Sequence, residues 1–168
     1  MNLKDKVIFI TGAASGIGKA TSLVCAGYGA KIVAVDLREE EVKKTAKEIC
    51  DAGGEAIGVG ADVTRRDTVK KAVDTAIKEY GRIDCLFNNA GVVKSCLLEE
   101  CSDEEYDFTM NINAKGAFIV ATEVAKVMIP NRKGRIISTS SISALREEYT
   151  NGTYCMSKAA ISMMTRVL

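Results

Sequence analysis

Lys6-Val7-Ile8-Phe9-Ile10-Thr11-Gly12-Ala13-Ala14-Ser15-Gly16-Ile17-Gly18-Lys19-Ala20 is the stretch from which the rest of the chain is read. A run rich in Val and Ile stops at Thr11, glycines follow at 12, 16 and 18, and an Ala-containing helical pattern then runs to Tyr28. That order reads strand, tight loop, helix. Glycines remove every Cβ from the turn, so backbone N–H groups and the positive end of the helix can approach an anion, a phosphate above all. The same glycines would also serve simply to seat a helix tightly on a strand. The spacing Gly12-x-x-x-Gly16-x-Gly18 has two more residues between its first two glycines than the usual dinucleotide fingerprint. No Lys-Ser or Lys-Thr follows the last glycine, which excludes a P-loop. A dinucleotide site also needs a carboxylate about 20 residues further on to grip the ribose hydroxyls, and the next apolar run, Lys31 to Val35, ends on Asp36.

The bulk properties fit one ordinary domain. The chain has 168 residues, 47% of them hydrophobic, enough for a sizeable core. Basic and acidic side chains number 23 and 22 and are spread along the chain, so no nucleic acid or anionic membrane is expected as a partner. The longest uncharged run, Val7 to Gly18, is 12 residues, against the ~18 to 20 needed to span a bilayer. With no basic, apolar, small-residue leader at its start, the chain is expected to be cytoplasmic. Six cysteines (25, 50, 85, 96, 101 and 155) form no C-x-x-C, and there is no histidine, so no metal site and no disulfide framework is expected. The absence of histidine also excludes Ser-His and Cys-His nucleophiles and H-E-x-x-H metalloproteases. Acid–base chemistry must come from Tyr, Lys, Asp, Glu or Cys.

Beyond Asp36 the pattern repeats. Arg38 to Gly54 carries Val42, Thr45, Ala46, Ile49 and Gly53 on one helical stripe, with Glu39–Lys43 and Glu40–Lys44 pairs outside. Glu55 to Asp62 reads as a third strand, weakened by glycines. Thr64 and Asp67 suggest a capping box for a helix with Val69, Val73, Ala76, Ile77 and Tyr80 inward and Gly81 at its end. Ile83 to Phe87 is a buried-type strand leading into Asn88-Asn89-Ala90-Gly91. Ser102 and Glu105 form a second capping-box pattern, heading one long helix that ends at Pro130, with Asn113 the odd polar residue in its apolar stretch. Gly134 to Ser141 gives a fifth strand and a Ser-rich loop, and Tyr154 to Leu168 a helix. The alternation predicts an α/β fold, a doubly wound, Rossmann-like parallel sheet with helices on both faces.

Tyr154-Cys155-Met156-Ser157-Lys158 places a phenol and an ammonium on one face of that last helix. A free tyrosine titrates near ~10, and an adjacent cation favours the phenolate, which makes a proton carrier. Read alone, a Tyr-x-x-x-Lys match is also an ordinary surface pair. Taken together, Thr11-Gly12-x-x-x-Gly16-Ile17-Gly18, Asp62-Val63, Asn88-Asn89-Ala90-Gly91, Asn113, Ser141 and Tyr154-x-x-x-Lys158, in that order, resemble the classical short-chain dehydrogenase/reductase family. The resemblance runs from Asp5 to the last residue.

It implies an oxidoreductase that transfers hydride between a nicotinamide cofactor and a secondary alcohol or ketone. On this reading Tyr154 is the general acid–base, Lys158 favours its phenolate and holds the nicotinamide ribose, Ser141 polarises the substrate oxygen, and Asn113 holds a water of the proton relay. The cofactor-binding set is Gly12, Ser15, Gly16, Ile17, Gly18, Asp36, Leu37, Asp62, Val63, Asn89, Ala90 and Gly91, with Tyr154 and Lys158. Asn88 ties strands together. The Asp36 charge would repel a 2′-phosphate and so favours NAD over NADP, a preference that Arg38 blurs. Family members continue through a sixth and seventh strand, so residues 1–168 are expected to be one dinucleotide-binding and catalytic domain, incomplete at its C-terminal end and holding strands one to five of seven. The family also implies a homo-oligomer, tetramer or dimer. The alternative is a catalytically silent nucleotide-binding fragment or oligomer partner.

Overall fold

Residues of β1, Val7–Thr11, alternate between two apolar surfaces and are all buried. Val7 and Phe9 join one core cluster, Ile8 and Ile10 the other. A strand apolar on both faces must be covered on both, which is the situation of a parallel sheet. The structure, a computed structural model, describes residues 3–168; Met1 and Asn2 of the expected 1–168 domain lie outside the described residues. Helix α1 (Gly16–Gly27), β2 (Lys31–Asp36), α2 (Glu39–Asp51) and β3 (Glu55–Gly60) follow, then α3 (Arg66–Tyr80), β4 (Cys85–Asn88), α4 (Asp103–Met110), α5 (Gly116–Met128), β5 (Arg135–Ser138) and α6 (Gly152–Val167). All five strands are parallel, in the order β3-β2-β1-β4-β5. Residues of α1 and α2 cover the Ile8 and Ile10 side, and α3, α5 and Met164 of α6 the Phe9 side. Full burial of an aromatic such as Phe9 contributes roughly 1.5–3 kcal/mol.

The expected elements form, with four differences of physical interest. Val42, Thr45, Ala46 and Ile49 of α2 are buried, but Lys44 pairs with Glu41 at 2.8 Å instead of Glu40, because Lys43 takes both Glu39 and Glu40. The third strand ends at Gly60, two residues before Asp62, and its glycines have a packing reason: a Cβ on Gly58 would lie 2.7 Å from the Lys43 Cα of α2. The Thr64–Asp67 capping box does not form. Thr64 instead turns back onto Asp62, its N–H and Oγ1 donating to Asp62 Oδ1 at 2.8 and 2.7 Å, and α3 starts at Arg66 with no side-chain cap. A local turn around an aspartate competes directly with helix capping, and here it wins.

The fourth difference concerns the long helix. Ser102 and Glu105 do make a complete capping box. Eight residues later the helix is interrupted by a π-helical turn, Asn111–Lys115, that separates α4 from α5. One extra residue rotates the helical face by about 100°, but α5 is buried on more than one side, which hides that shift from the periodicity. The strand order leaves β5 at an edge, where Ile137 is 54% exposed. Among the described residues no helix is long and apolar enough to cross a membrane.

Candidate active site

The strand order reverses between β1 and β4, and at such a point the loops beyond the carboxyl ends diverge and leave a crevice. Here the crevice is a cleft of about 920 Å³. Its walls contain Gly12, Ser15, Gly16, Ile17, Asp36 and Leu37 from the first two βα connections, Asp62 and Val63 after β3, Asn89, Ala90 and Gly91 after β4, and Tyr154 and Lys158 from α6. Gly18, Asn113 and Ser141 are not among the residues that line the cleft. Arg38, Val92, Val93, Phe108 and Thr139 also line the cleft and were not singled out by any motif.

Backbone geometry makes the first wall. Gly12 and Gly16 have φ of +69° and +54°, and a Cβ on Gly12 would lie 3.1 Å from the Ala90 Cα. A Cβ on Gly18 would overlap the Gly12 carbonyl. Helix α1 starts without a side-chain cap and without an acidic residue in its first turn, whereas α4 has a full capping box and three acids there. The uncapped N–H groups of α1 therefore remain available at the cleft, the arrangement an anion requires. Thr11, the buried last residue of β1, has a structural role that the glycine motif does not reveal: its Oγ1 accepts from Asn89 N–H at 2.9 Å and Ala90 N–H at 3.0 Å and so fixes the β4 loop.

Asp36 is 8% exposed. Its Oδ2 accepts the Ala14 N–H at 3.1 Å, and its Oδ1 accepts the Arg38 N–H and Nε at 3.0 and 3.2 Å. Arg38 also donates to Ser15 Oγ at 2.8 Å, so a guanidinium already bridges the carboxylate and the glycine turn. Asp62 is oriented by Thr64, and Val63 lies against Gly116, where a Cβ would come within 2.9 Å of its Cγ2.

The opposite end of the cleft is built from side chains. Lys158 is 4% exposed; its Nζ donates to the Thr139 carbonyl at 2.8 Å and lies 5.5 Å from the centroid of the Tyr154 ring. Burial holds the Lys158 ammonium below the usual lysine range. Asn113, on the π-helical turn, is fully buried: Oδ1 accepts the Val92 N–H at 2.8 Å, and Nδ2 donates to the Val92 carbonyl at 2.8 Å and to Ser157 Oγ at 3.0 Å. Its amide thus clamps the loop after Gly91 to α6. Ser141 caps a short turn, Ile142–Ala144, that packs against α6. Its hydroxyl donates to Ser143 Oγ at 2.9 Å, and Ser143 donates to Glu148 Oε1 at 2.7 Å. Hydrogen bonds from Ser143 and then Asn151 hold the Glu148 carboxyl below its usual range. Asn88 ties β4 to β5 through its backbone, its carbonyl accepting the Thr139 N–H at 3.0 Å, while its side-chain Nδ2 donates to the Ala117 carbonyl at 2.8 Å and joins β4 to α5.

The sequence-family model "short chain dehydrogenase" matches residues 6–168. The chain belongs to the short-chain dehydrogenase family. It is 40% identical to the 3-oxoacyl-[acyl-carrier-protein] reductase FabG of Thermotoga maritima, over 99% of this chain and 68% of that protein. It is 38% identical to an NAD-dependent glycerol dehydrogenase of Listeria innocua, over 99% of this chain and 65% of that one. A solved short-chain dehydrogenase/reductase from Burkholderia phymatum in complex with NAD superposes with a TM-score of 0.95 at 32% identity, covering 99% of this chain and 60% of that one. The chain spans about two thirds of the length of these short-chain dehydrogenases, a family of oxidoreductases that use a nicotinamide cofactor.

Proposed function

We propose that this chain carries the nucleotide-binding and catalytic core of an NAD-dependent oxidoreductase that interconverts a secondary alcohol and its ketone, with Tyr154 as general acid–base. The observation that carries the reading is the single cleft that has the glycine turn and Asp36 at one end and the buried Lys158 beside Tyr154 at the other.

The residues present fit a dinucleotide. Gly12, Gly16 and Gly18 leave a cradle that any Cβ at 12 or 18 would obstruct, and the uncapped turn of α1 offers N–H donors for a pyrophosphate. Asp36, with Leu37 beside it, would accept from the adenosine ribose hydroxyls; Asp62 and Val63 would meet the adenine, and the Asn89-Ala90-Gly91 backbone the ribose. A buried carboxylate repels a 2′-phosphate, which favours NAD over NADP, and the Arg38 charge is already engaged by Asp36. When bound, the nicotinamide supplies the hydride donor or acceptor. Tyr154 would give its phenolic proton to the carbonyl oxygen in reduction and take one from the hydroxyl in oxidation. Lys158 gives one N–H to Thr139 and keeps two for the ribose and the phenol side. Ser141 would polarise the substrate oxygen by donating its hydroxyl proton to it, which requires that proton to leave Ser143 Oγ, where it now points, while the Ser143 N–H keeps hold of the Ser141 oxygen. Asn113 would support the proton relay by fixing Val92 and Ser157. Phe118 on α5, with the Arg66 guanidinium 5.7 Å from its ring centroid, would lie in a homo-oligomer contact.

A second reading, a nucleotide-binding module without turnover of its own, is favoured by Ser141, which does not line the cleft and whose hydroxyl is engaged by Ser143. The two separate by measuring NAD and NADP affinity together with turnover of a panel of secondary alcohols, on the wild type and on Tyr154→Phe. Turnover lost only in the variant supports the dehydrogenase. No turnover in either, with NAD still bound, supports the silent module. Tighter NADP than NAD would remove the Asp36 argument.

A further inference from the structure

We propose that Cys96, Cys101 and Glu105 form a binding site for a thiophilic divalent ion, zinc or cadmium, on the rim beside the cleft. The two thiol sulfurs and a Glu105 carboxylate oxygen all lie within 4.8 Å of one another. Two sulfurs bound ~2.3 Å from a common tetrahedral ion are ~3.8 Å apart, so only a small convergence completes the set. None of the three residues lines the cleft itself.

The donors are presented by structure that already holds them. Cys96 donates its N–H to the Thr150 carbonyl at 2.8 Å and bridges to Asn151 at the head of α6. Glu105 is fixed by the α4 capping box, its Oε2 accepting the Ser102 N–H at 3.1 Å. Cys101 immediately precedes that cap. A fourth side chain lies alongside: Thr153, 1% exposed, is within hydrogen-bonding reach of the Cys101 thiol. The cluster also already draws a cation, since Lys94 Nζ lies 3.0 Å from Glu105 Oε1. A divalent ion would take over that carboxylate and release Lys94. It would thereby join the loop that carries Cys96 and Cys101 to α4. Four residues separate the two cysteines, so a search for C-x-x-C passes over the pair.

Titration of the reduced protein with cadmium should raise a thiolate-to-metal charge-transfer absorption that saturates at one equivalent. Cys96→Ser and Cys101→Ser should each abolish it, while Cys50→Ser, at an exposed thiol on α2, leaves it intact. Glu105→Gln keeps the cap and should weaken binding about tenfold; Lys94→Gln should strengthen it. Zinc should raise the melting temperature of the wild type and not of either cysteine variant. An absorption that survives in the double variant Cys96→Ser/Cys101→Ser, or none at all in the wild type, overturns the proposal. So does closure of the two thiols into a disulfide in metal-containing buffer with no metal retained.

Discussion

The two ends of the cleft are made differently. At the glycine end the parts come from neighbouring connections and bind one another: the Ala14 N–H and Arg38 both meet Asp36, Arg38 meets Ser15, and shape is set by backbone at Gly12, Gly16 and Gly18. At the Tyr154 end side chains set the arrangement: Asn113 Nδ2 reaches Ser157 Oγ across 44 positions, and Lys158 Nζ reaches the Thr139 carbonyl. A backbone-built site tolerates little change of volume but carries few titratable groups. A side-chain-built site carries the chemistry and depends on long-range packing to hold it. Residues at the first end should therefore govern fold and affinity, and residues at the second end rate.

Tyr154→Phe is the most lopsided test of that contrast. Turnover is expected to fall by roughly 10²–10⁴-fold with NAD affinity changed less than about twofold, read by steady-state kinetics and fluorescence titration. A parallel loss of affinity would mean that the two ends are not separable. Gly18→Ala tests the other side: the new Cβ overlaps the Gly12 carbonyl, so stability should drop by up to about 3 kcal/mol in urea denaturation and nucleotide binding should be lost with it. If the variant binds NAD normally, the turn is looser than its geometry indicates.

Smaller effects sharpen the contrast within the Tyr154 end. Asn113→Ala strands the Val92 N–H and carbonyl and frees Ser157, at a cost of about 2 kcal/mol, and should lower kcat more than it raises the KM for NAD. The smallest effect concerns pH. Burial lowers the Lys158 pKa, so between its folded value and the ordinary ~10.4 the unfolded chain holds a proton that the folded chain has released. Folding stability supported by that group accordingly rises with pH across the window, while turnover loses the ammonium and falls. Urea melts and rate profiles from neutral to alkaline pH should show opposite slopes, and Lys158→Met should flatten the stability slope. A wild-type rate that holds level until pH ~10.4 would show that burial does not shift this lysine.

Much of this molecule was legible in order along the chain. Alternating apolar runs gave five strands, and Gly81 closes α3 in the left-handed conformation as its position suggests. Ser102 and Glu105 cap α4 because a capping box needs only four consecutive residues. Thr64 and Asp67 failed as a cap for the same local reason in reverse: Asp62, two residues upstream, offered Thr64 a better partner. The π-helical turn around Asn113 left no trace in the periodicity, and the meeting of Cys96 with Cys101 and Glu105 left none in the spacing.

What the amino-acid order determined by itself was local: which segments are strand or helix, where glycine is required, and which family's residues recur at Gly12 to Gly18 and at Tyr154 and Lys158. Tertiary structure alone decided that Thr11 holds the Asn89–Ala90 loop, that Asn113 clamps Val92 to Ser157, and that Arg38 bridges Asp36 to Ser15. The division has a physical cause. Backbone conformation and periodicity depend on neighbours a few residues away, whereas a hydrogen bond between residues 44 positions apart exists only after the sheet and the helices over it have set the distance.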